Sequence, residues 1–475
     1  MTRPTTPDAA PASLAPAEVL AELEARYDDD LAALLAFVRL PSVSTDPKHA
    51  SDVRAAAEHL AARLAAAGLD DAEVLETDGH PLVSAAWRRA EGAPTVLVYG
   101  HYDVQPPEPL ERWSTPPFEP SVRDGRVYAR GVSDDKAPLS IAIDVVAAYL
   151  RALRALPLNV VFLFEGEEEV GSPSLPAALA RHGERFRADL VVSADGGMWR
   201  ADHPTTMRST RGLAALEFGV RGAAKDLHSG RHGGSVANAL HAIAALIAGL
   251  HDADGRVAVE GFYDDVQPLD PAVAEATRAL PFDDAAYLAE VGAPATFGEA
   301  GYGTLERQWY RPTLEVNGLW GGYQGEGIKT VLPSEATAKV TCRLVADQQP
   351  ERVLDAIERH LRDAVPEGVT LWVRRSDHGA AAYHLRDDHP GLRAVVGALH
   401  ATYGVAPWVI GMGGSVPICE TFQRELGMTT VFFSFAVGDE DIHAPNEFFR
   451  LERFAQGRAA WADLLARLPG ELARG

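Results

Sequence analysis

The chain repeats one arrangement, in which an apolar run is followed closely by residues that can bind a metal ion. The three clearest cases are PTVLVY before His101, NVVFLF before Glu167, and ADLVVS before Asp195. Short apolar runs of this kind are typical of buried strands, and the carboxyl ends of strands in an open α/β sheet meet in one crevice. The sequence therefore predicts an α/β fold whose strand ends bring these polar side chains together.

The pattern of strands and helices changes twice along the chain. Apolar runs alternate with helical stretches up to about residue 206, which favours an α/β sheet. From residue 212 the order becomes strand, helix, strand, strand, helix, strand, which is the split βαβ arrangement of an α+β domain, and after about residue 385 the α/β pattern resumes. The predicted division is a flexible tail over residues 1–15, a larger domain over 16–208 and 385–475, and an inserted α+β domain over 209–384, within which residues 255–303 are predicted to be irregular.

Size, charge and cysteine content exclude several classes of protein. At 475 residues the chain exceeds the length at which one hydrophobic core keeps growing. Its formal net charge of −23 disfavours nucleic acid and anionic membranes as partners, because their phosphates would be repelled. Cys342 and Cys419 have no disulfide or zinc-finger spacing, and no window resembles a membrane span or a secretory signal. We therefore expect a cytoplasmic protein.

Each candidate ligand has an ordinary structural explanation when it is taken alone. An isolated His-x-Asp at a strand end is usually a polar loop, a pair of aspartates is usually a solvated turn, and acidic residues at a helix start are favoured by the helix dipole. Their joint occurrence favours a metal site, because neighbouring carboxylates repel one another unless a cation is near. The candidates are His101, Asp103, Asp134, Glu167, Glu168, Glu169, Asp195 and His443.

The donor types point to a particular chemistry. A set of imidazole and carboxylate groups in which carboxylates dominate suits zinc, manganese or cobalt. A carboxylate at Asp134 could bridge two cations, as two-metal hydrolases require. Among the adjacent glutamates, one could bind metal while its neighbour serves as general base toward an activated water.

Six motifs in order, GHYDVQP, DGRVYARGVSDDK, EGEEEVGS, KDLHSG, GGS and IHAPNE, give the chain a family resemblance. From residue 40 to the last helix it resembles the M20 family of dinuclear metallopeptidases, particularly the carnosinase-type dipeptidases. The resemblance implies a zinc-peptidase-like catalytic domain with a mixed sheet, and two divalent metal ions, most simply zinc. It assigns one metal to His101, Asp134 and Asp195, and the other to Asp134, Glu169 and His443. It also implies Glu168 as general base, Asp103 as the residue that orients His101, and a cis peptide between Asp134 and Asp135.

The resemblance also assigns a role to the inserted domain. It implies a lid through which two chains form a homodimer, with His228 delivered to the partner's active site to stabilise the oxyanion. Arg343 is similar to the family residue that pairs with the free carboxylate of a small peptide substrate. Thr330, His378 and Ser415 occupy positions that line the substrate site in similar dipeptidases.

Three positions depart from the family pattern. Ala129 and Ala137 replace glycines of the usual motif around Asp134, and neither change removes a ligand. Met412 stands before GGS, where carnosinase-like enzymes tend to carry an acidic residue that could meet a substrate amino group. The leading hypothesis is hydrolysis of dipeptides or short peptides. The alternatives are an N-acyl amino-acid deacylase or desuccinylase with the same metal core, and a catalytically silent peptide-binding scaffold.

Overall fold

The computed structural model describes residues 10–376 and 379–474. Its chain forms two compact units. The first comprises the residues up to Arg208, Leu385–Val409, and those from Thr421 onward; the second comprises Ser209–His384 and Ile410–Glu420. The segment Ile410–Glu420, which the sequence analysis grouped with the larger domain, belongs to the second unit.

The helices are α1 (Ala17–Ala25), α2 (Tyr27–Val38), α3 (Ala50–Ala66), α4 (Ala137–Leu153), α5 (Leu175–Phe186), α6 (Ser229–His232), α7 (Ala239–Ala248), α8 (Pro271–Arg278), α9 (Asp284–Val291), α10 (Thr304–Tyr310), α11 (Pro350–Ala364), α12 (Pro390–Tyr403), α13 (Pro417–Leu426) and α14 (Leu451–Leu472). No helix among the described residues is long and apolar enough to cross a lipid bilayer.

The strands are β1 (Asp70–Leu75), β2 (Leu82–Trp87), β3 (Thr95–His101), β4 (Ser121–Arg123), β5 (Arg126–Tyr128), β6 (Asn159–Glu165), β7 (Leu190–Ser193), β8 (Thr205–Thr210), β9 (Gly212–Arg221), β10 (Leu227–His228), β11 (Thr313–Gly321), β12 (Val331–Leu332), β13 (Glu335–Leu344), β14 (Thr370–Arg375), β15 (Tyr383–His384), β16 (Trp408–Met412), β17 (Thr430–Phe432) and β18 (Phe448–Arg450).

The first unit is built on a mixed six-stranded sheet in the order β1-β2-β6-β3-β7-β17. Strands β6, β3, β7 and β17 run parallel, whereas β1 and β2 pair antiparallel at one edge. The central strands β3, β6 and β7 are buried over nearly their whole length, as expected for parallel strands covered by helices on both faces. The prediction of an α/β fold with a mixed sheet is confirmed.

The second unit contains an antiparallel sheet in the order β11-β13-β9-β14. Side chains along β9 and β13 alternate, so that one face joins a core with α7 and α11, and strand and helix order follow the predicted split βαβ pattern. One prediction within this region was wrong. The stretch 255–303 is not wholly irregular, because it contains α8 and α9, whose first backbone amides are capped by the side chains of Asp270 and Asp283.

Candidate metal centre

Three parallel strands end side by side at the site. In the register of the sheet, His101 at the end of β3 lies opposite Glu165 at the end of β6, and Tyr99 lies opposite Ser193 at the end of β7. The acidic residues that follow β6 and β7 therefore emerge beside His101. The expectation that strand ends bring the candidate ligands together rests on this shared register.

Asp134 lies at the centre of the group. It belongs to a short turn, Val132–Lys136, that leads into α4; the backbone of Asp134 and Asp135 is not helical, and the peptide bond between them is cis. Its two carboxylate oxygens face different histidines: Oδ1 lies 2.9 Å from Nε2 of His101, and Oδ2 lies 3.0 Å from Nε2 of His443. A carboxylate with one oxygen turned to each histidine has the arrangement expected of a bridge between two cations.

Two sets of possible metal ligands share that aspartate. One consists of His101, Asp134 and Asp195, the other of Asp134, Glu169 and His443, and within each set the ligand atoms all lie within 4.8 Å of one another. Nε2 of His443 also lies 3.2 Å from a carboxylate oxygen of Glu169. Both sets mix imidazole nitrogen with carboxylate oxygen, so the residues present fit two adjacent divalent ions.

Asp103 holds His101 and the two glutamates after β6 in position. The Nδ1 atom of the buried His101 ring lies 3.1 Å from the backbone oxygen of Asp103 and 3.4 Å from its carboxylate. The same carboxylate accepts hydrogen bonds from the backbone N–H groups of Glu168 (3.2 Å) and Glu169 (3.1 Å). Asp103 therefore directs Nε2 of His101 toward Asp134 and fixes the turn that carries both glutamates.

The three consecutive glutamates have different environments. The carboxylate of Glu167 is buried and accepts backbone N–H groups of His80 (2.9 Å) and Ser174 (3.1 Å), which is a structural role. Glu169 faces His443 and accepts a hydrogen bond from the side chain of Gln105 at 2.8 Å. Within the described part of the chain, the carboxylate of Glu168 makes no hydrogen bond, so it is the glutamate left available for proton transfer.

The pKa values reflect crowding of like charge. Burial raises the pKa of Glu168 well above its ordinary value; His101 opposes this shift, and Asp195, Asp134 and Glu169 add to it. Burial likewise raises the pKa of Asp195 to about 6. Burial also acts to raise the pKa of Asp134, but hydrogen bonds from His101 and His443 hold it well below its usual range. An excess of carboxylates in a buried cluster is the electrostatic setting that divalent cations stabilise.

Glu447 is a residue whose role the sequence analysis missed, although it closes the IHAPNE motif. Its buried carboxylate accepts backbone N–H groups of Gly131 (2.7 Å), Ser133 (2.9 Å) and Asp134 (3.2 Å), together with Nη1 of Arg130 at 2.7 Å. It therefore fastens the turn that carries Asp134 to the segment that carries His443. The sequence signal is the four-residue spacing from His443, but spacing does not reveal which backbone amides a carboxylate meets.

Two of the predicted substrate residues are neighbours in the second unit. His228 pairs with Val331 between β10 and β12, and the N–H of Ser229 donates to the backbone oxygen of Thr330 at 3.1 Å. Nδ1 of His228 accepts the N–H of Gly230 at 3.0 Å. A neutral His228 ring therefore carries its proton on Nε2, where it can act as a hydrogen-bond donor.

Two of the other predicted substrate residues, Arg343 and Ser415, contact each other, and the third is not among the described residues. Nη1 of Arg343, on β13, donates to Oγ of Ser415 at 2.8 Å. His378 lies outside the described residues.

Comparison with known proteins identifies the family. Residues 97–467 match the model of the peptidase family M20/M25/M40. The chain is 27% identical to the Cys-Gly metallodipeptidase dug1 of Schizosaccharomyces pombe, over 92% of this chain and 94% of that protein. It is also 27% identical to the human Beta-Ala-His dipeptidase, over 85% of this chain and 81% of that protein.

A solved structure gives the same answer for the fold. The M20 family metallo-carboxypeptidase Sso-CP2 of Sulfolobus solfataricus superposes with a TM-score of 0.79 at 29% identity, over 93% of this chain and 99% of that chain. The similarity extends over both units rather than over one of them.

Proposed function

The chain belongs to the peptidase family M20/M25/M40, and from this premise we propose that it is a metallopeptidase that hydrolyses the peptide bond of dipeptides or short peptides. The observation that carries the proposal is the pair of ligand sets that share Asp134, with the available carboxylate of Glu168 beside them. Relatives named for Cys-Gly and Beta-Ala-His dipeptidase activity, matched over most of their length, support dipeptides as the substrate class.

Two divalent metal ions are part of the proposal. His101 and Asp195 would hold one, Glu169 and His443 the other, and Asp134 would bind both. We propose zinc as the native metal, with manganese or cobalt able to replace it, because mixed imidazole and carboxylate donors suit these ions. Such ions would supply Lewis acidity, lowering the pKa of water and polarising a carbonyl oxygen.

Glu168 is the proposed general base and acid. Its carboxylate makes no hydrogen bond to the described residues and adjoins the candidate ligand Glu169, which suits a group that takes a proton from water and then returns it to the leaving amine. Asp103 fixes the backbone of Glu168, so the carboxylate keeps its position through both transfers.

The second unit would supply groups that bind the rest of the substrate. His228, which presents Nε2–H as a donor when neutral, is the proposed stabiliser of the developing oxyanion. Arg343 and Ser415 would bind the terminal carboxylate of the peptide, and Thr330 and His378 would line the site.

A homodimer formed through the second unit is a further part of the proposal. Apolar side chains on and after β11 are unusually exposed: Leu319 is 55% exposed, Trp320 40% and Ile328 96%. Apolar groups of this size at one end of a sheet support contact with a second copy of the chain. A cytoplasmic location also belongs to the proposal, and the buried thiol of Cys342 suits a reducing compartment.

The test combines metal analysis with a substrate panel. Protein reconstituted separately with zinc and manganese is assayed on dipeptides and on matched N-acetyl and N-succinyl amino acids. About two metals per chain with cleavage of the free-amino dipeptides would support the dipeptidase. Preference for acylated substrates would favour a deacylase, to which the apolar Met412 is suited, and no turnover with either metal would leave a silent scaffold.

A further inference from the structure

Arg211 forms hydrogen bonds to the Gly413–Ser415 loop through both its side chain and its backbone. Its Nε donates to the backbone oxygen of Gly413 at 2.8 Å, and its own N–H donates to the backbone oxygen of Gly414 at 2.9 Å. Two consecutive carbonyl groups of the loop are therefore held by one residue. Arg211 directly precedes β9, whose Leu213 pairs with Arg343 on the adjacent strand β13.

The loop and the end of β16 before it pack closely against α10. A Cβ on Gly413 would lie 3.1 Å from the backbone oxygen of Gln308 and 3.4 Å from Nη2 of Arg211, and a Cβ on Gly411 would lie 2.7 Å from Cβ of Trp309. Side chains at these positions would crowd Gln308 and Trp309 on α10. The constrained backbone places Oγ of Ser415 where Nη1 of Arg343 reaches it at 2.8 Å.

The local charge is positive. Burial and, to a lesser extent, the positive charge of Arg343 lower the pKa of Arg211 to about 10, and Glu315 only partly opposes this shift. Two guanidinium groups that disfavour each other in a partly buried place are stabilised by an anion. Because Ser415 accepts from Arg343, its own O–H remains free to donate to that anion.

We infer that Arg211 is a positioning residue for recognition of the substrate's terminal carboxylate. It fixes the Gly413–Ser415 loop so that Ser415 and Arg343 present donors together, and it contributes a second positive charge. Carboxylates are bound most strongly by charge-assisted hydrogen bonds with fixed geometry, which this arrangement supplies. The inference rests on the proposed dipeptidase function and adds Arg211 to the residues that would select a free carboxyl terminus.

The experiment compares one good dipeptide substrate with the same dipeptide as its C-terminal amide. We expect Arg211→Gln to raise KM for the free acid about 10- to 100-fold, the range of one charge-assisted hydrogen bond, and to leave kcat for both substrates and KM for the amide within about twofold. Arg211→Lys keeps the charge and the backbone hydrogen bond to Gly414 but loses the Nε hydrogen bond to Gly413, so it should give an intermediate KM. Arg343→Lys should show the same selectivity for the free acid.

Arg221→Gln is the matched control, since Arg221 is the last residue of β9, the strand that Arg211 precedes, and forms an exposed ion pair with Glu335. It should change neither KM. Equal losses on acid and amide in the Arg211 variants would overturn the inference and leave Arg211 with a purely structural role. If Arg211→Gln fails to fold, the comparison of acid and amide is made with Arg211→Lys instead, and equal losses on both substrates again overturn the inference.

Failure of the proposed function would be recognised separately. In that case the wild-type holoenzyme cleaves neither the acid nor the amide. The affinities of wild type and Arg211→Lys for the two peptides, measured by calorimetry, would then test the role of Arg211 in carboxylate recognition. A loss of affinity confined to the acid would support its role, and equal binding by both proteins would overturn it.

Discussion

At the scale of single residues, the groups with chemical roles depend on neighbours that bind no metal. Asp103 contacts His101 and also holds the backbone of Glu168 and Glu169, so one buried carboxylate sets the positions of a candidate ligand from each set and of the proposed base. Glu447 likewise holds the backbone of the turn that carries Asp134. Such outer carboxylates tune metal sites because they fix ring and carboxylate orientation before the ion arrives.

Replacement of the proposed base should separate metal binding from catalysis. We expect Glu168→Gln to retain both metals and to lower kcat by about 10²- to 10⁴-fold, because the amide cannot take a proton from water. Metal analysis and steady-state kinetics on the same preparation measure both effects. Glu91→Gln, an exposed position in the same unit, is the control. Turnover within a few-fold of wild type would remove Glu168 as the base.

Replacement of Glu447 should weaken the metals without touching a ligand. A glutamine has one oxygen instead of two, so it cannot accept all the N–H groups that now meet the carboxylate. We expect Glu447→Gln to lower metal affinity about 10- to 100-fold, measured by competition with a chelator. Glu452→Gln, exposed at the start of α14, serves as control. Unchanged affinity would show that the turn holds its shape without Glu447.

At the scale of elements, the core of the first unit contains a polar cluster on α4. This helix is buried along most of its length, yet it carries Asp144, whose Oδ1 accepts a hydrogen bond from Arg63 at 2.8 Å. Its second oxygen is buried, and the described residues provide it with no partner. Burial raises the pKa of Asp144 to about 6, with Arg63 opposing the shift. The cluster holds α3 against α4 and makes stability depend on pH.

The sign of that dependence follows from the raised pKa. Between the ordinary carboxyl pKa and about 6 the native state holds a proton that the unfolded chain has lost, so stability falls as pH rises through this window. The side-chain amide of an Asp144→Asn variant cannot titrate. We therefore expect the free energy of unfolding of wild type, relative to this variant, to decrease by about 1 kcal/mol from pH 5 to pH 7.

Urea denaturation at several pH values, with metal fixed, measures this difference. Asp28→Asn at an exposed position on α2 is the control and should show no such trend. A relative stability that rises with pH would contradict the raised pKa.

At the scale of the whole molecule, the proposed machinery is divided between two units. The ligand sets and Glu168 lie in the first, whereas His228, Thr330, Arg343 and Ser415 lie in the second. If His228 acts on the partner's substrate, a defect in one chain can be complemented by the other. This distinguishes a shared active site from one that a single chain completes.

Mixed dimers test the arrangement. Heterodimers of His228→Ala and Glu168→Ala chains, isolated through two different affinity tags, should have one intact site of two, and therefore about half of the wild-type activity. Each homodimer should be nearly inactive. Inactive heterodimers that are dimeric by sedimentation would mean that each chain uses its own His228, and a monomeric wild type would contradict the homodimer itself.

The strands and the candidate ligands could be predicted from the amino-acid sequence alone. Burial follows from local periodicity, and His101 and Asp103, or Glu167 to Glu169, are adjacent in the chain, so their proximity needs no tertiary information. The capping aspartates of α8 and α9 were also readable, although we predicted an irregular stretch there. The metal-binding and catalytic roles of these residues remain predictions.

Contacts between residues that are distant in the sequence became known from the structure. Asp134 and His443 are 309 residues apart along the chain, and their contact depends on how the Val132–Lys136 turn and the segment after β17 are packed. Packing also decided that Glu167 binds backbone amides while Glu168 is left available, and that Glu447 and Arg211 hold loops in place. The physical reason is that local patterning encodes which side chains are buried, whereas hydrogen-bond partners are set by distances of a few ångströms between distant segments.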